Sequence, residues 1–160
     1  MIKGLAITPP VLGRISIGKI VEKNGKRLPE KDDQFTITSQ IQNKDGWVKH
    51  PLDEQLREKA QNGKLRTIPV RMIFNEPERL GQNGIEQHPC PSPDLCPLAQ
   101  GGLCKPYGRL YVNLDVSDEF GTFIFRTTGF NSIRTLAARL SYYHAASGNL
   151  LSCLPLQLTL

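Results

Sequence analysis

Several things are scarce or missing in this 160-residue chain. No run approaches the roughly 18 apolar residues a membrane helix needs. The opening "MIKGLAITPP" has no apolar core long enough for a secretion signal, so a cytoplasmic location is expected. Aromatic residues reach only 7%, with a single tryptophan. His-Glu-x-x-His, Gly-x-Ser-x-Gly, a Walker-type glycine loop and a dinucleotide fingerprint are all absent, so the chain is expected not to be an enzyme. Cysteines number four, and in a reducing cytosol the three that cluster are expected to meet a metal or stay reduced rather than form a stable disulfide. No internal repeat or low-complexity segment occurs.

What is present describes one α+β domain over residues 1–160, with a cysteine-rich inserted loop at about 75–106. "RISIGKIVE", an Asn24-Gly25 turn and "FTITSQIQ" alternate apolar and polar residues and predict an antiparallel ribbon. A short surface helix is expected at about 51–62, with Pro51 at its start and an Asp53/Arg57 pair four residues apart. "KLRTIPVRMIF" reads as a strand, and Pro69 argues for a sheet edge. "YGRLYVNLDVSDEFGTFIFRTTG" predicts a hairpin. A long amphipathic helix follows at about 131–147, with Asn131 or Ser132 as N-cap and Ile133, Leu136, Leu140 and Tyr143 on one stripe. "LLSCLPLQLTL" predicts a last strand in which Cys153 is buried. The sheet is expected to be mainly antiparallel.

"HPCPSPDLCPLAQGGLCKPYG" packs three of the four cysteines into residues 88–108. His88, Cys90, Cys96 and Cys104 are thiolate and imidazole donors of the kind that hold zinc tetrahedrally. The C-x5-C-x7-C spacing is looser than a C-x2-C knuckle, so a reduced or partly oxidised thiol loop stands beside the metal reading. With all ligands from protein the zinc would be structural. Its role would be to order a loop with few apolar anchors.

Charge is uneven. Lys3, Arg14, Lys19, Lys23, Lys26, Arg27 and Lys31 face only Glu22 and Glu30, and this excess equals the net +5 of the whole chain. Arg14, Lys19, Lys23, Lys26 and Arg27 therefore form a candidate phosphate-facing ribbon, against the plainer reading of a solvated hairpin. "FRTTGFNSIRTLAARL" offers a second candidate: Arg126, Thr128, Ser132 and Arg134 could hold an anion at a helix start, or could simply cap and turn. Asp115, Asp118 and Glu119 read as a solvated turn rather than a magnesium site. His50 and His144 read as structural.

The stretches "IKGLAITPPVLGRISIGKIVEKNGKRLPEKDDQFTITSQ", "PCPSPDLCPLAQGGLCKPYGRLYV" and "FRTTGFNSIRTLAARL" together resemble the recombination directionality factor-like family of phages and integrative elements. Bacterial members often carry the label "hydrolase or metal-binding protein". The resemblance implies a non-enzymatic accessory of DNA recombination in a mobile element. Phage members bind a serine integrase and switch it from integration to excision. A recombinase or another recombination protein of the same element is thus the expected partner, with weak non-specific DNA contact besides. The alternatives are a direct DNA or single-strand DNA binding module and a metal-dependent hydrolase.

Overall fold

The predicted ribbon exists and is longer than its apolar alternation suggests. The computed structural model describes residues 10–23, 25–75, 95–102, 106–116 and 121–160, with backbone alone for residues 19–23, 26–29, 31 and 98. β1 (Val11–Lys23) and β2 (Lys26–Asn43) pair antiparallel from Gly13↔Ser39 to Lys23↔Lys26. The register slips between Ile17 and Lys19, at Gly18. Gly18 has φ +94° and backs onto the Glu30 carbonyl oxygen, which a Cβ would meet at 2.6 Å, so only glycine suits this bulge.

The remaining strands are β3 (Gly46–Lys49), β4 (Thr67–Met72), β5 (Gly108–Leu114), β6 (Thr122–Thr127) and β7 (Leu156–Thr159). They form one seven-stranded sheet in the order β3-β2-β1-β6-β5-β4-β7. The α+β class is as expected, but the sheet is mixed: β1 runs parallel to β6, through Arg14↔Ile124 and Ile15↔Phe125, while the other pairings are antiparallel. Gly13 permits this central contact. A Cβ there would run into the Thr38 carbonyl oxygen and lie 2.8 Å from the Phe123 ring.

Alternation divides the sheet into two faces. Ile15, Phe35, Ile37, Val112, Phe123 and Phe125 are buried on one, with Phe35 and Phe125 edge to face at 6.1 Å. Truncating a ring as buried as Phe35 or Phe123 costs about 3–5 kcal/mol. Both longer helices cover this face. α1 (Pro51–Lys59) inserts Leu52 and Leu56 into the core, and α3 (Phe130–Ala146) lays Leu136, Leu140 and Tyr143 against it half-buried. α2 (Pro97–Gln100) is a single turn inside the cysteine-rich stretch. Among the described residues no helix is long and apolar enough to cross a membrane.

α1 and the segment that follows it also complete the backbone hydrogen bonding of β2 where β3 no longer pairs with it. The His50 N–H donates to the Ile37 carbonyl at 3.0 Å and the Phe35 N–H to the Leu65 carbonyl at 2.7 Å. The Ile37 N–H donates to Asp53 Oδ1 at 2.8 Å. The helix is therefore no mere surface element, since Asp53 on it is fully buried.

Several expectations about local structure are corrected. The short helix ends at Lys59, with a 3-10 turn over Gln61–Gly63. The long one is capped by Gly129, with no side-chain capping bond from Asn131 or Ser132. β4 is not an edge strand, because β7 pairs along its outer side through Pro69↔Gln157. Pro69 is tolerated because its nitrogen and carbonyl both face Asp115, whose N–H donates to that carbonyl at 3.1 Å just past the end of β5. Its missing N–H costs one bond at the ladder's last rung. Cys153 is exposed in a 3-10 turn, Leu151–Cys153, that precedes the short strand β7.

Candidate anion-binding face

The second face of the sheet carries arginine. Arg14 on β1 lies opposite Ile124 of β6, and Arg126 follows two residues later on the same face. Arg109 on β5 stands directly opposite Arg126. Directly opposite residues bring their Cβ atoms to about 5 Å, and like charges so placed repel. Ile124 and Tyr111, which share this face, are only 6% and 5% exposed.

Aromatic rings bound the cluster. The Arg14 guanidinium stacks over the Trp47 ring of β3 with its carbon 3.9 Å from the centroid, a cation–π contact. Arg109 Nε donates to the Tyr107 hydroxyl at 3.2 Å, and this bond pushes the Arg109 pKa up. Arg14 moves the other way. Burial first, then the Arg126 charge, pull its guanidinium below the ordinary arginine value; Tyr107 opposes this and Arg109 adds to it. The Nε atoms of Arg14 and Arg126 are buried and have no hydrogen-bond partner among the described residues.

The two expected anion sites are thus redistributed. Arg14, taken as part of the basic ribbon, and Arg126, taken as part of the Thr-Thr-Gly corner, belong to one cluster with Arg109. At the corner itself the Thr127 hydroxyl accepts from the Gly129 N–H at 3.2 Å, which is turn chemistry. Thr128, Ser132 and Arg134 are exposed around the start of α3. Lys19, Lys23, Lys26 and Arg27 lie on the part of the β1–β2 ribbon beyond the last β1–β6 rung, with Glu22 opposite Arg27 and Lys19 opposite Glu30; their side chains lie outside the described residues. Arg109, Trp47 and Tyr107 were not singled out from sequence. The alternation of "GRLYVNL" sets Arg109, Tyr111 and Asn113 on one face, but only the pairing with β6 brings them to Arg126.

Other candidate groups are already engaged. His50 caps α1, its Nδ1 accepting from the Leu52 N–H at 3.3 Å, and its ring packs edge-on to Phe123 at 5.0 Å. Asp115 accepts from Arg71 Nε at 2.8 Å. A groove of about 700 Å³ beside the end of α1 is lined by Lys59, Lys64, Arg66, Pro69 and Gln157, yet Lys64 and Arg66 both bind Asp33.

Of the four candidate zinc ligands, His88, Cys90 and Cys104 lie outside the described residues. Cys96 is a free, half-buried thiol at the N-cap of α2. Its backbone carbonyl accepts from Ala99 N–H at 3.0 Å and Gln100 N–H at 3.1 Å, and its side chain makes no capping bond. Among the described residues no group of three or more His, Cys, Asp or Glu side chains is placed to hold a metal, so the expected zinc loop is not seen there.

Neither a curated protein nor a solved structure matches the chain. A family model does match, over residues 12–160, and so takes in the described strands and helices from the second residue of β1 onward, with the arginine face. Its subject is a recombination-related family of phages and other mobile elements. By that match the chain belongs to the Gp3-like, recombination directionality factor-like family.

Proposed function

We propose that the protein is a non-enzymatic accessory of DNA recombination in a mobile element, acting by binding the element's recombinase or another protein of the recombination complex. The observation that carries this reading is the family match over residues 12–160. The use made of its acid–base groups supports it: His50 serves as a helix cap, Asp53 in a buried ion pair, Asp115 on Arg71 and Asp33 on Lys64 and Arg66. The cysteine cluster belongs to the same proposal as a structural zinc loop, supported by its ligand types and by the free Cys96 thiol.

The test is a reconstituted reaction containing the recombinase of the same element and its attachment-site DNA. Adding the protein should change the ratio of excision to integration, and the two proteins should co-elute. An unchanged ratio with no co-elution would overturn the reading.

A second reading, direct DNA contact, is favoured by one feature. Beyond Ile15↔Phe125 the β1–β2 ribbon continues to Lys23↔Lys26 as a two-stranded arm bearing Lys19, Lys23, Lys26 and Arg27. A two-stranded ribbon of this kind fits a DNA groove.

A further inference from the structure

Three arginines elsewhere in the fold are neutralised by the chain itself: Arg57 holds Asp53, Arg66 holds Asp33 and Arg71 holds Asp115. Arg14 and Arg126 are the contrast. Each is half-buried, each has an Nε with no acceptor among the described residues, and Arg126 also stands opposite the positive charge of Arg109. Desolvating a guanidinium without giving it an acceptor is unfavourable, and so is a like-charge cross-strand pair. An external anion would relieve both.

We propose that Arg14, Arg109 and Arg126 form a docking site for an acidic segment of a protein partner, whose carboxylates supply the negative charge that the described residues do not place beside these guanidiniums. The proposal rests on the accessory reading and gives the partner's chemistry. Two features favour a carboxylate over a nucleic acid. The Trp47 face is already covered by Arg14, and the Tyr107 ring by the Arg109 guanidinium, whose carbon lies 5.1 Å from its centroid, so the rings bordering the site are not free platforms for bases. Recessed beside buried Ile124 and Tyr111, the site suits a carboxylate on a flexible stem better than a phosphodiester flanked by sugars.

The experiment uses the full chain and two labelled probes of matched charge, an oligoglutamate peptide and an oligothymidylate, with binding read by anisotropy at low salt. Oligoglutamate should bind the unmodified protein. The double substitution Arg14→Gln and Arg126→Gln should weaken it roughly tenfold or more, the worth of a charged hydrogen-bonded pair. Reversing Lys23, Lys26 and Arg27 to Glu should leave oligoglutamate binding in place. Arg126→Gln alone should not lower the melting temperature, because it removes a repulsion, whereas a purely structural arginine would be missed. Arg109→Gln, on the neighbouring strand, supplies a second variant with the same expected loss should the double one not fold. Oligothymidylate displacing the peptide, and losing affinity with the same substitutions, would make this a nucleic-acid site and overturn the proposal. Oligoglutamate that does not bind, or binds regardless of these arginines, would overturn it too. Loss of peptide binding with the recombination effect intact would remove the docking site and leave the accessory function standing.

Discussion

The buried carboxylate of Asp53 accepts the backbone N–H of Ile37 through Oδ1 at 2.8 Å while Oδ2 takes Arg57 Nε at 2.6 Å. Arg57 in turn reaches the Phe35 carbonyl at 2.7 Å and the Gln34 side chain at 2.6 Å, so the pair fastens α1 to β2. Asp53→Ala should cost about 3–5 kcal/mol, because it strands a buried N–H and leaves the guanidinium uncompensated. Arg57→Ala should cost a similar amount, and the double variant less than the sum, since the two act as a unit. Urea denaturation measures all three. The exposed neighbour Glu54→Ala is the control and should stay within about 0.5 kcal/mol.

Asp33 gives a pH dependence. Hydrogen bonds from Lys64, then Arg66, hold its carboxyl well below the ordinary carboxylate range. A depressed folded-state pKa contributes stability that is present above the unfolded value and lost as pH falls toward the folded one. Stability should therefore decline below about pH 4, the unperturbed value for Asp. Asp33→Asn should flatten that decline and leave the curve at neutral pH nearly parallel to that of the unmodified protein. Asp33 is exposed, so added salt should shrink the difference between the two proteins. Denaturation midpoints across pH 2–7 at two salt concentrations decide it; identical slopes would count against the ion pair.

Zinc is the third prediction. Freshly purified protein should release up to one equivalent of zinc to a colorimetric chelator, and Cys96→Ser and Cys104→Ser should each lower that amount, since losing one of four ligands weakens a tetrahedral site. Zinc-free protein with freely titrating thiols at Cys90, Cys96 and Cys104 would dispose of the metal.

What could be read from sequence was whatever is local. The β1–β2 and β5–β6 hairpins follow from alternation and the turns between their strands, and α3 from the spacing of Ile133, Leu136, Leu140 and Tyr143. The Asp53/Arg57 pair was visible as a helical spacing, but its burial was not, because that depends on where β2 runs out of partners. The parallel β1–β6 contact leaves no local trace: it joins segments over a hundred residues apart and rests on the smallness of Gly13. That contact brings Arg14 to Arg126, so the arginine face was out of reach of sequence reasoning even though two of its three members had been singled out. Pro69 misled because a rule about edges is really a rule about missing donors, and here the missing donor meets the end of a strand.

The last prediction separates the ribbon from the arginine face. The backbone sets Lys23 opposite Lys26 at the end of a two-stranded arm, with Arg27 next in register, while Arg14 belongs to the body of the sheet. If Lys19, Lys23, Lys26 and Arg27 make three or four phosphate contacts, log K against log salt should have a slope of about −3 to −4 on duplex DNA, at about −0.9 per contact. Binding should be weak, indifferent to sequence and largely gone above physiological salt. Reversing Lys23, Lys26 and Arg27 to Glu should abolish it at little cost in stability, because charged groups around a turn contribute little to folding. The partner-binding site forecasts the opposite pattern: affinity for the recombinase should survive these reversals, be less sensitive to salt than DNA binding, and fall with Arg14→Gln and Arg126→Gln. A gel-shift series across salt, run beside a recombinase pull-down on the same variants, reads both. DNA binding undetectable at low salt in the unmodified protein would remove nucleic-acid contact by the ribbon and leave protein binding as the sole reading.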